Sequence, residues 1–127
     1  MRQGVSIMVR TLLKQDEQGT ELFIFARFHA REGEVDSVEA ALQEEIPQAR
    51  DDPGCLAIDS YRSVLDPRLF FIHSRWTDEA AFDRHAQTDH TVKFIRRIEL
   101  AIDHALDVNR TKRLEIPKQC APILPSA

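Results

Sequence analysis

The chain has 127 residues, 43% of them hydrophobic, which is enough for the core of one domain. Its 17 basic and 21 acidic residues give a formal charge of -4 and are interspersed, which argues against a nucleic-acid-binding stripe and a polybasic membrane anchor. No run approaches the roughly 20 apolar residues that a membrane-spanning helix needs. The two cysteines lack the spacing of a zinc or redox motif, so we expect a cytoplasmic location.

The first 29 residues contain one uncertain and one strong strand pattern. Residues 1–20 are predicted to be an N-terminal arm or an extra edge strand, because Val5, Ile7 and Val9 recur at every second position. The stretch 21–29 is a strong strand with apolar residues on both faces, so both faces must be covered. One face carries Leu22, Ile24, Ala26 and Phe28, and the other carries Phe23 and Phe25.

A helix is predicted after the break at Gly33. Its apolar residues recur at helical spacing, namely Val35, Val38, Leu42, Ile46 and Ala49. Pro47 removes a backbone donor, so we expect the regular helix to kink or end near residue 45 or 46, with a further turn to residue 50.

An antiparallel hairpin is predicted from the turn at Pro53 and Gly54 onward. Its first strand covers residues 55–64, with Leu56 and Ile58 on one side. The short loop at residues 66–68 turns the chain into the second strand, residues 69–76. One face of that second strand carries Phe70, Ile72, Ser74 and Trp76.

Two helices and a last strand complete the pattern. Thr77 and Asp78 can cap a short helix, and Thr88 can cap a second one. The second helix presents one apolar face, formed by Thr91, Ile95, Ile98, Ile102 and Ala105. Alternation returns over residues 106–114, and the proline-bearing residues 116–127 form a C-terminal tail. The order predicts an α+β fold, a ferredoxin-like βαββαβ arrangement with an antiparallel sheet and helices on one face.

The segment around the end of the second hairpin strand resembles a known family. Read as W-x-D-x-x-A-x-x-x-H-x-x-x-x-H, the residues Trp76, Asp78, Ala81, His85 and His90 are similar to the signature of the antibiotic biosynthesis monooxygenase (ABM) domain. The segments FARFHAREGEVDSVEAAL and DDPGCLAIDSYRS resemble the family's first strand, first helix and second strand. The likeness defines an ABM-like domain at residues 21–115. It implies a homodimer in which two sheets pair face to face into a dimeric α/β-barrel.

The resemblance also implies a reaction and a site. Relatives oxidise quinols and polyketide-like aromatic substrates with molecular oxygen and without flavin or metal. His85 would then be the catalytic base, and Trp76 would position the substrate. A substrate-binding pocket would be formed by Phe25, Phe28, Phe82, His90 and Phe94. For His90, a contact between helices is the alternative role.

The sequence predicts no cofactor and no metal. Its glycines are isolated, so no phosphate-binding loop can be built from them. Its five histidines show no i, i+3 or i, i+4 pair and no carboxylate in register. Ala26 and Ile72 stand where haem-degrading relatives and anthrone oxygenases, respectively, carry an Asn. The alternative to an enzyme is therefore a non-catalytic dimeric module that binds a hydrophobic small molecule.

Overall fold

The computed structural model describes residues 19–117. Its elements, in chain order, are β1 Leu22–His29, α1 Val35–Arg50, β2 Cys55–Arg62, β3 Leu69–Trp76, α2 Glu79–Ala86, α3 Asp89–Ala101 and β4 Asp107–Thr111. The predictions for the N-terminal arm up to residue 18 and for the tail from residue 118 fall outside the described residues.

The four strands form one sheet in the order β2-β3-β1-β4. Every neighbouring pair is antiparallel, and the register of the central pair sets Leu22 opposite Trp76 and Phe28 opposite Phe70. This is the ferredoxin-like βαββαβ arrangement, so the predicted fold class is confirmed.

The core lies between the sheet and the helices α1 and α3. Every second residue of β1 is buried, as the alternation predicted, and Leu22, Ile24 and Phe28 are each 2% exposed. Burying side chains of this size stabilises the fold by about 1.5–3 kcal/mol each. Leu22 and Ile24 pack with Trp76 and Ala81 in a second, smaller cluster, whereas Phe28 belongs to the main core with Val38, Leu42, Ile46, Ile58, Phe70, Phe94 and Ile98.

Helix α1 continues through Pro47 to Arg50, so the helix does not end near residue 45 or 46, and the further turn predicted to residue 50 is helical. Pro47 lies on the exposed side, where water can satisfy the carbonyl that loses its helical partner. On the opposite side Ile46 and Ala49 are buried in the core and hold the last turn in place. Packing on one side of the helix outweighs the missing hydrogen bond on the other.

Strand β2 contains a bulge that changes which residues face the core. Cys55 pairs with Trp76 and Ala57 pairs with Arg75, so Leu56 is the extra residue between them. Leu56 is 40% exposed whereas Ile58 is 4% exposed. The prediction that both lie on one buried side is therefore wrong for Leu56.

The last helix and strand are shorter than predicted. Helix α3 ends at Ala101, and Ile102 is already extended and bridges to Ala30. Strand β4 covers only Asp107–Thr111 at the edge of the sheet, and Leu114, the predicted end of the strand, is 80% exposed. The alternation beyond residue 111 therefore has no partner strand among the described residues.

The sheet surface opposite the helices carries the second set of residues on the strands. The ring of His73 contacts Phe25 at 4.7 Å and Tyr61 at 5.2 Å between centroids. Phe25 is 44% exposed and Tyr61 is 50% exposed. We call this surface, formed by Phe23, Phe25, Tyr61, Phe71 and His73, the outer sheet face. No helix within residues 19–117 has the length and apolar content to cross a membrane.

Candidate active site

A cavity of about 240 Å³ lies between the helix-facing side of the sheet and the helices α2 and α3. Its walls are mostly apolar, with contributions from Ile72, Phe82 and Phe94. The polar side chains among its lining residues are Glu45, Ser74, His85 and Thr91. A larger groove of about 470 Å³ between α1 and α3 is open to solvent and lined mainly by charged side chains. We call this the outer groove, and the cavity of about 240 Å³ the inner cavity. The inner cavity is the better candidate because it combines apolar walls with a few convergent polar groups.

Trp76 ends β3 and is fully buried. Its Nε1–H donates to the Oγ atom of Ser74 at 2.9 Å, so the indole donor already has a partner. Its ring packs against the imidazole of His85, with 4.5 Å between the ring centroids. Trp76 is not among the residues that line the inner cavity, whereas His85, which its ring contacts, does line it.

Helix α2 carries His85 toward the cavity. The helix begins after Asp78, whose carboxylate accepts from the backbone N–H of Ala81 at 2.9 Å. Ala81 and His85, four residues apart, are the two buried residues of this helix. His85 is only 7% exposed, because the turn after α1 covers it.

The imidazole of His85 is oriented by Asp52. The Nδ1 atom of His85 lies 2.7 Å from the Oδ2 atom of Asp52, so the carboxylate accepts a hydrogen bond from a protonated Nδ1. This tautomer is assigned from the hydrogen-bond network. The Nε2 atom has no hydrogen-bond partner among residues 19–117, and its nearest acidic oxygen is Glu45 Oε2 at 4.0 Å. Nε2 is therefore available to accept a proton.

His90, on α3, is held between two carboxylates. Its Nδ1 atom lies 2.7 Å from Glu45, and its Nε2 atom lies 3.1 Å from Asp52. Desolvation alone would lower the pKa of His90, but the hydrogen bonds to Glu45 and Asp52 outweigh it and raise the pKa above its usual value. His90 lines the outer groove and not the inner cavity, so the structure places it as a contact between helices.

Glu45 is a buried acid on α1, with 3% exposure. It accepts from the hydroxyl of Thr91 at 2.7 Å as well as from His90. Thr91 is in turn held by Thr88, the residue that caps α3, at 2.9 Å. Buried charges require such partners, and here two carboxylates face two imidazoles.

The four aromatic residues predicted to bind substrate are divided between three places. Phe82 and Phe94 line the inner cavity together with His85. Phe28 is buried in the core, where its ring stacks on Phe70 at 5.8 Å. Phe25 lies on the outer sheet face, because adjacent strand residues point to opposite sides.

The sequence predictions missed Glu45, Asp52 and Thr91 as members of the site. Glu45 had a detectable signal, because it shares its helix face with Leu42 and Ala49, where an acid is unexpected. Asp52 had none, since it lies in a turn whose position depends on the packing of that turn against α2.

The fold brings together a histidine–carboxylate group that no local sequence spacing indicates. Asp52 lies beside His85 and His90, with one possible ligand atom of each within 4.8 Å of the others. A second such group, His29, Asp103 and His104, lies at the opposite end of β1. The absence of a metal or organic cofactor remains a prediction.

Comparisons with known proteins agree on the family. The sequence profile of a family described as antibiotic biosynthesis monooxygenase matches residues 22–97, more than half of the chain. No curated protein matches the chain. Among solved structures, a protein from Pseudomonas aeruginosa is 29% identical over 76% of this chain and 96% of its own, with a TM-score of 0.70.

Two further solved structures are similar. One described as an antibiotic biosynthesis monooxygenase is 26% identical, covers 74% of this chain and 99% of its own, and has a TM-score of 0.71. A protein from Mycobacterium tuberculosis is 21% identical over 76% of this chain and 97% of its own, with a TM-score of 0.71. At that identity the likeness concerns the fold alone.

Proposed function

The chain belongs to the antibiotic biosynthesis monooxygenase family, and on that premise we propose that it is a cofactor-independent monooxygenase acting on a small quinol or related phenolic compound. The observation that carries the proposal is the His85–Asp52 pair beside an apolar cavity. Among residues 19–117 the Nε2 atom of His85 has no hydrogen-bond partner, and His85 lines a largely apolar cavity, an arrangement that suits the ionisation of a bound phenol.

In this proposal His85 is the base. Its Nε2 atom takes the phenolic proton, and Asp52 holds the ring in the required tautomer and stabilises the imidazolium that forms. Trp76 keeps the imidazole plane fixed from the other side. These roles agree with the geometry, because Nδ1 of His85 is hydrogen-bonded to Asp52, whereas Nε2 has no hydrogen-bond partner among residues 19–117.

The electrons come from the substrate itself. The phenolate is electron-rich and reacts with molecular oxygen to form a C–O bond at a ring carbon, giving a hydroperoxide. The proton held on His85 passes to the peroxide, and loss of water leaves a quinone. One oxygen atom ends in the quinone and the other in water, so a phenol and one oxygen molecule balance without an external reductant. Apolar walls favour this sequence because they exclude competing water.

The size of the cavity favours a small substrate. Ligand pockets commonly measure about 300 to 1,000 Å³, and this cavity of about 240 Å³ is at or below the lower end. One or two aromatic rings fit that volume better than a large polycyclic polyketide. Ile72 lines the cavity and offers an apolar contact, which suits a substrate with few polar groups on that side.

The proposed assembly is a homodimer formed through the outer sheet face. Phe25 and Tyr61 present large aromatic rings to solvent on a small sheet, and such a surface is expected to be covered. A second copy of the same face offers complementary aromatic rings. A cytoplasmic location is part of the proposal and rests on the sequence composition.

The alternative function is a dimeric module that binds a hydrophobic small molecule without changing it. The observation in its favour is the apolar character of the cavity at Ile72, which lacks a polar contact for a substrate oxygen. Binding without oxygen consumption would distinguish this function from catalysis.

The experiment is oxygen consumption by the purified, chelator-treated protein with a panel of benzohydroquinones, naphthohydroquinones and monophenols. We expect substrate-dependent uptake, and with ¹⁸O₂ we expect one labelled atom in the quinone made from a monophenol. A panel whose members bind but cause no uptake above the spontaneous rate would favour the binding module. Label in hydrogen peroxide alone would contradict the monooxygenase reaction.

A further inference from the structure

We propose that Asp52, His85 and His90 form a binding site for one divalent transition-metal ion, and that an ion bound there inhibits the proposed oxidation. The site itself does not depend on the proposed function. Only its inhibitory effect rests on the proposed function.

The first argument is the distance between the ligand atoms. Asp52 lies 2.7 Å from His85 Nδ1 and 3.1 Å from His90 Nε2, and one atom of each residue lies within 4.8 Å of the others. With metal–ligand bonds of about 2.0–2.2 Å, tetrahedral ligands are about 3.3 Å apart. To reach this edge length the two contacts to Asp52 must lengthen by about 0.6 and 0.2 Å, and the third edge, which is at most 4.8 Å, must shorten to about 3.3 Å.

The second argument is the ligand chemistry. Two imidazole nitrogens and one carboxylate oxygen suit Zn²⁺, Co²⁺ and similar ions, and leave a position for water. The three side chains come from the turn after α1, from α2 and from α3, and are between 8% and 18% exposed. An ion held by three separate elements would also bind the elements together.

The third observation is that the other ring nitrogen of His90 is hydrogen-bonded to a carboxylate. Glu45 accepts from its Nδ1 atom at 2.7 Å, and Thr91 holds Glu45 at 2.7 Å. A carboxylate on the remote nitrogen of a histidine is the usual partner that orients a metal ligand and raises its basicity. Glu45 therefore serves as an outer partner of the ion and not as a direct ligand.

The second histidine–carboxylate group is a weaker candidate. Asp103 accepts from the guanidinium of Arg68 at 3.1 Å and from His104 at 2.7 Å, and His104 is largely exposed. Burial would raise the pKa of Asp103, but hydrogen bonds from His29 and His104 outweigh it and lower the pKa to about 2. The Arg68 cation already satisfies this carboxylate and opposes a further positive ion. His104 is therefore a suitable control position.

Inhibition follows from the tautomer. An ion on Nδ1 of His85 displaces the proton that Asp52 holds there, and a neutral imidazole then carries its proton on Nε2. The nitrogen proposed to act as base becomes a donor. A metal ion and a phenolic proton thus compete for one imidazole.

Trp76 provides a readout that does not depend on activity. It is the single tryptophan of the chain, and its ring lies 4.5 Å from the ring of His85. Tag-free, metal-free protein is titrated with Zn²⁺ while Trp76 fluorescence is followed, and with Co²⁺ while the visible absorption is followed. We expect saturation at about one ion per chain and a Co²⁺ band typical of four-coordinate geometry.

Variants locate the ion. We expect His90→Gln and Asp52→Asn to weaken Zn²⁺ binding by more than about tenfold, and His104→Gln to leave it unchanged. If either site variant unfolds, the Co²⁺ spectrum of the wild type and the His104→Gln result still decide. Absence of stoichiometric binding to the wild type, or loss of binding in His104→Gln alone, would overturn the site. Zn²⁺ saturation without slower quinol oxidation would overturn the inhibition.

Discussion

The Nδ1 atom of His85 lies 2.7 Å from the Oδ2 atom of Asp52, and this contact joins α2 to the turn after α1. The turn can approach so closely because Gly54 has no side chain where it passes Ala81. The carbonyl oxygen of Gly54 accepts a hydrogen bond from the backbone N–H of Thr77 at 2.9 Å, which fixes the turn to the start of α2.

Asp52→Asn should lower the rate of quinol oxidation by roughly 10²- to 10⁴-fold with a small change in KM. The amide can donate to Nδ1 and so favours the tautomer whose Nε2 atom carries the proton. Steady-state oxygen uptake measures the effect. Asp51→Asn, at the exposed neighbouring position, is the matched control and should keep the wild-type rate. Equal rates for the two variants would show that Asp52 does not orient the base.

Gly54→Ala should destabilise the protein by about 2–4 kcal/mol. The residue has a φ of +85°, and an added Cβ atom would clash with the side chain of Ala81, so backbone strain and overpacking add. Gly33→Ala is the control, because Gly33 has the same φ but no atom within 4 Å of the added carbon. It should lose only about 1 kcal/mol. Urea unfolding measures both. Similar losses would mean that the turn does not pack tightly on α2.

His90 should make stability depend on pH in metal-free protein. Its pKa is raised in the folded chain above the unfolded value of 6.5, so the folded state binds the proton more tightly. The stabilising contribution is fully present below about pH 6.5 and is lost as the pH rises through the folded-state pKa. Urea unfolding should therefore show that the free energy of unfolding of the wild type decreases as the pH rises through this range, and that the free energy of unfolding of His90→Gln does not. The same decrease in both proteins would assign the effect to another group.

Phe25→Glu should convert the proposed dimer to a monomer. The change places a charge in the middle of the outer sheet face, where it would be desolvated opposite its own copy. Light scattering at micromolar concentration measures the mass. Leu100→Glu, at a position on α3 that is 81% exposed, is the control and should remain dimeric. A monomeric wild type would remove the proposed assembly.

The alternation of apolar residues predicted β1 and β3 and their buried faces correctly, because each strand has one face in a core and a strict period of two. At Leu56 and Pro47 the local sequence does not determine the structure, because packing decides it. The bulge at Leu56 becomes evident only from the pairing of β2 with β3. Pro47 is tolerated only because its side of α1 faces solvent.

Part of the site could be predicted from the sequence, because local geometry sets the position of some of its residues. His85 and Trp76 belong to one continuous segment, so their meeting follows from strand and helix geometry. Asp52 and Glu45 reach His85 and His90 across separations of 33 and 45 residues, which no local pattern records. Phe25 and Phe28 were grouped with the pocket by residue type, while the strand period and the core separate them from it.

The rate of quinol-dependent oxygen consumption by His85→Gln tests the central claim most directly. The rate should fall by roughly 10²- to 10⁴-fold between about pH 6 and 9, the loss typical of a missing general base. His104→Gln, an exposed histidine away from the cavity, should keep the wild-type rate, and the unfolding midpoint of each variant shows that it is folded. A folded His85→Gln protein that consumes oxygen at the wild-type rate throughout that range would contradict the account.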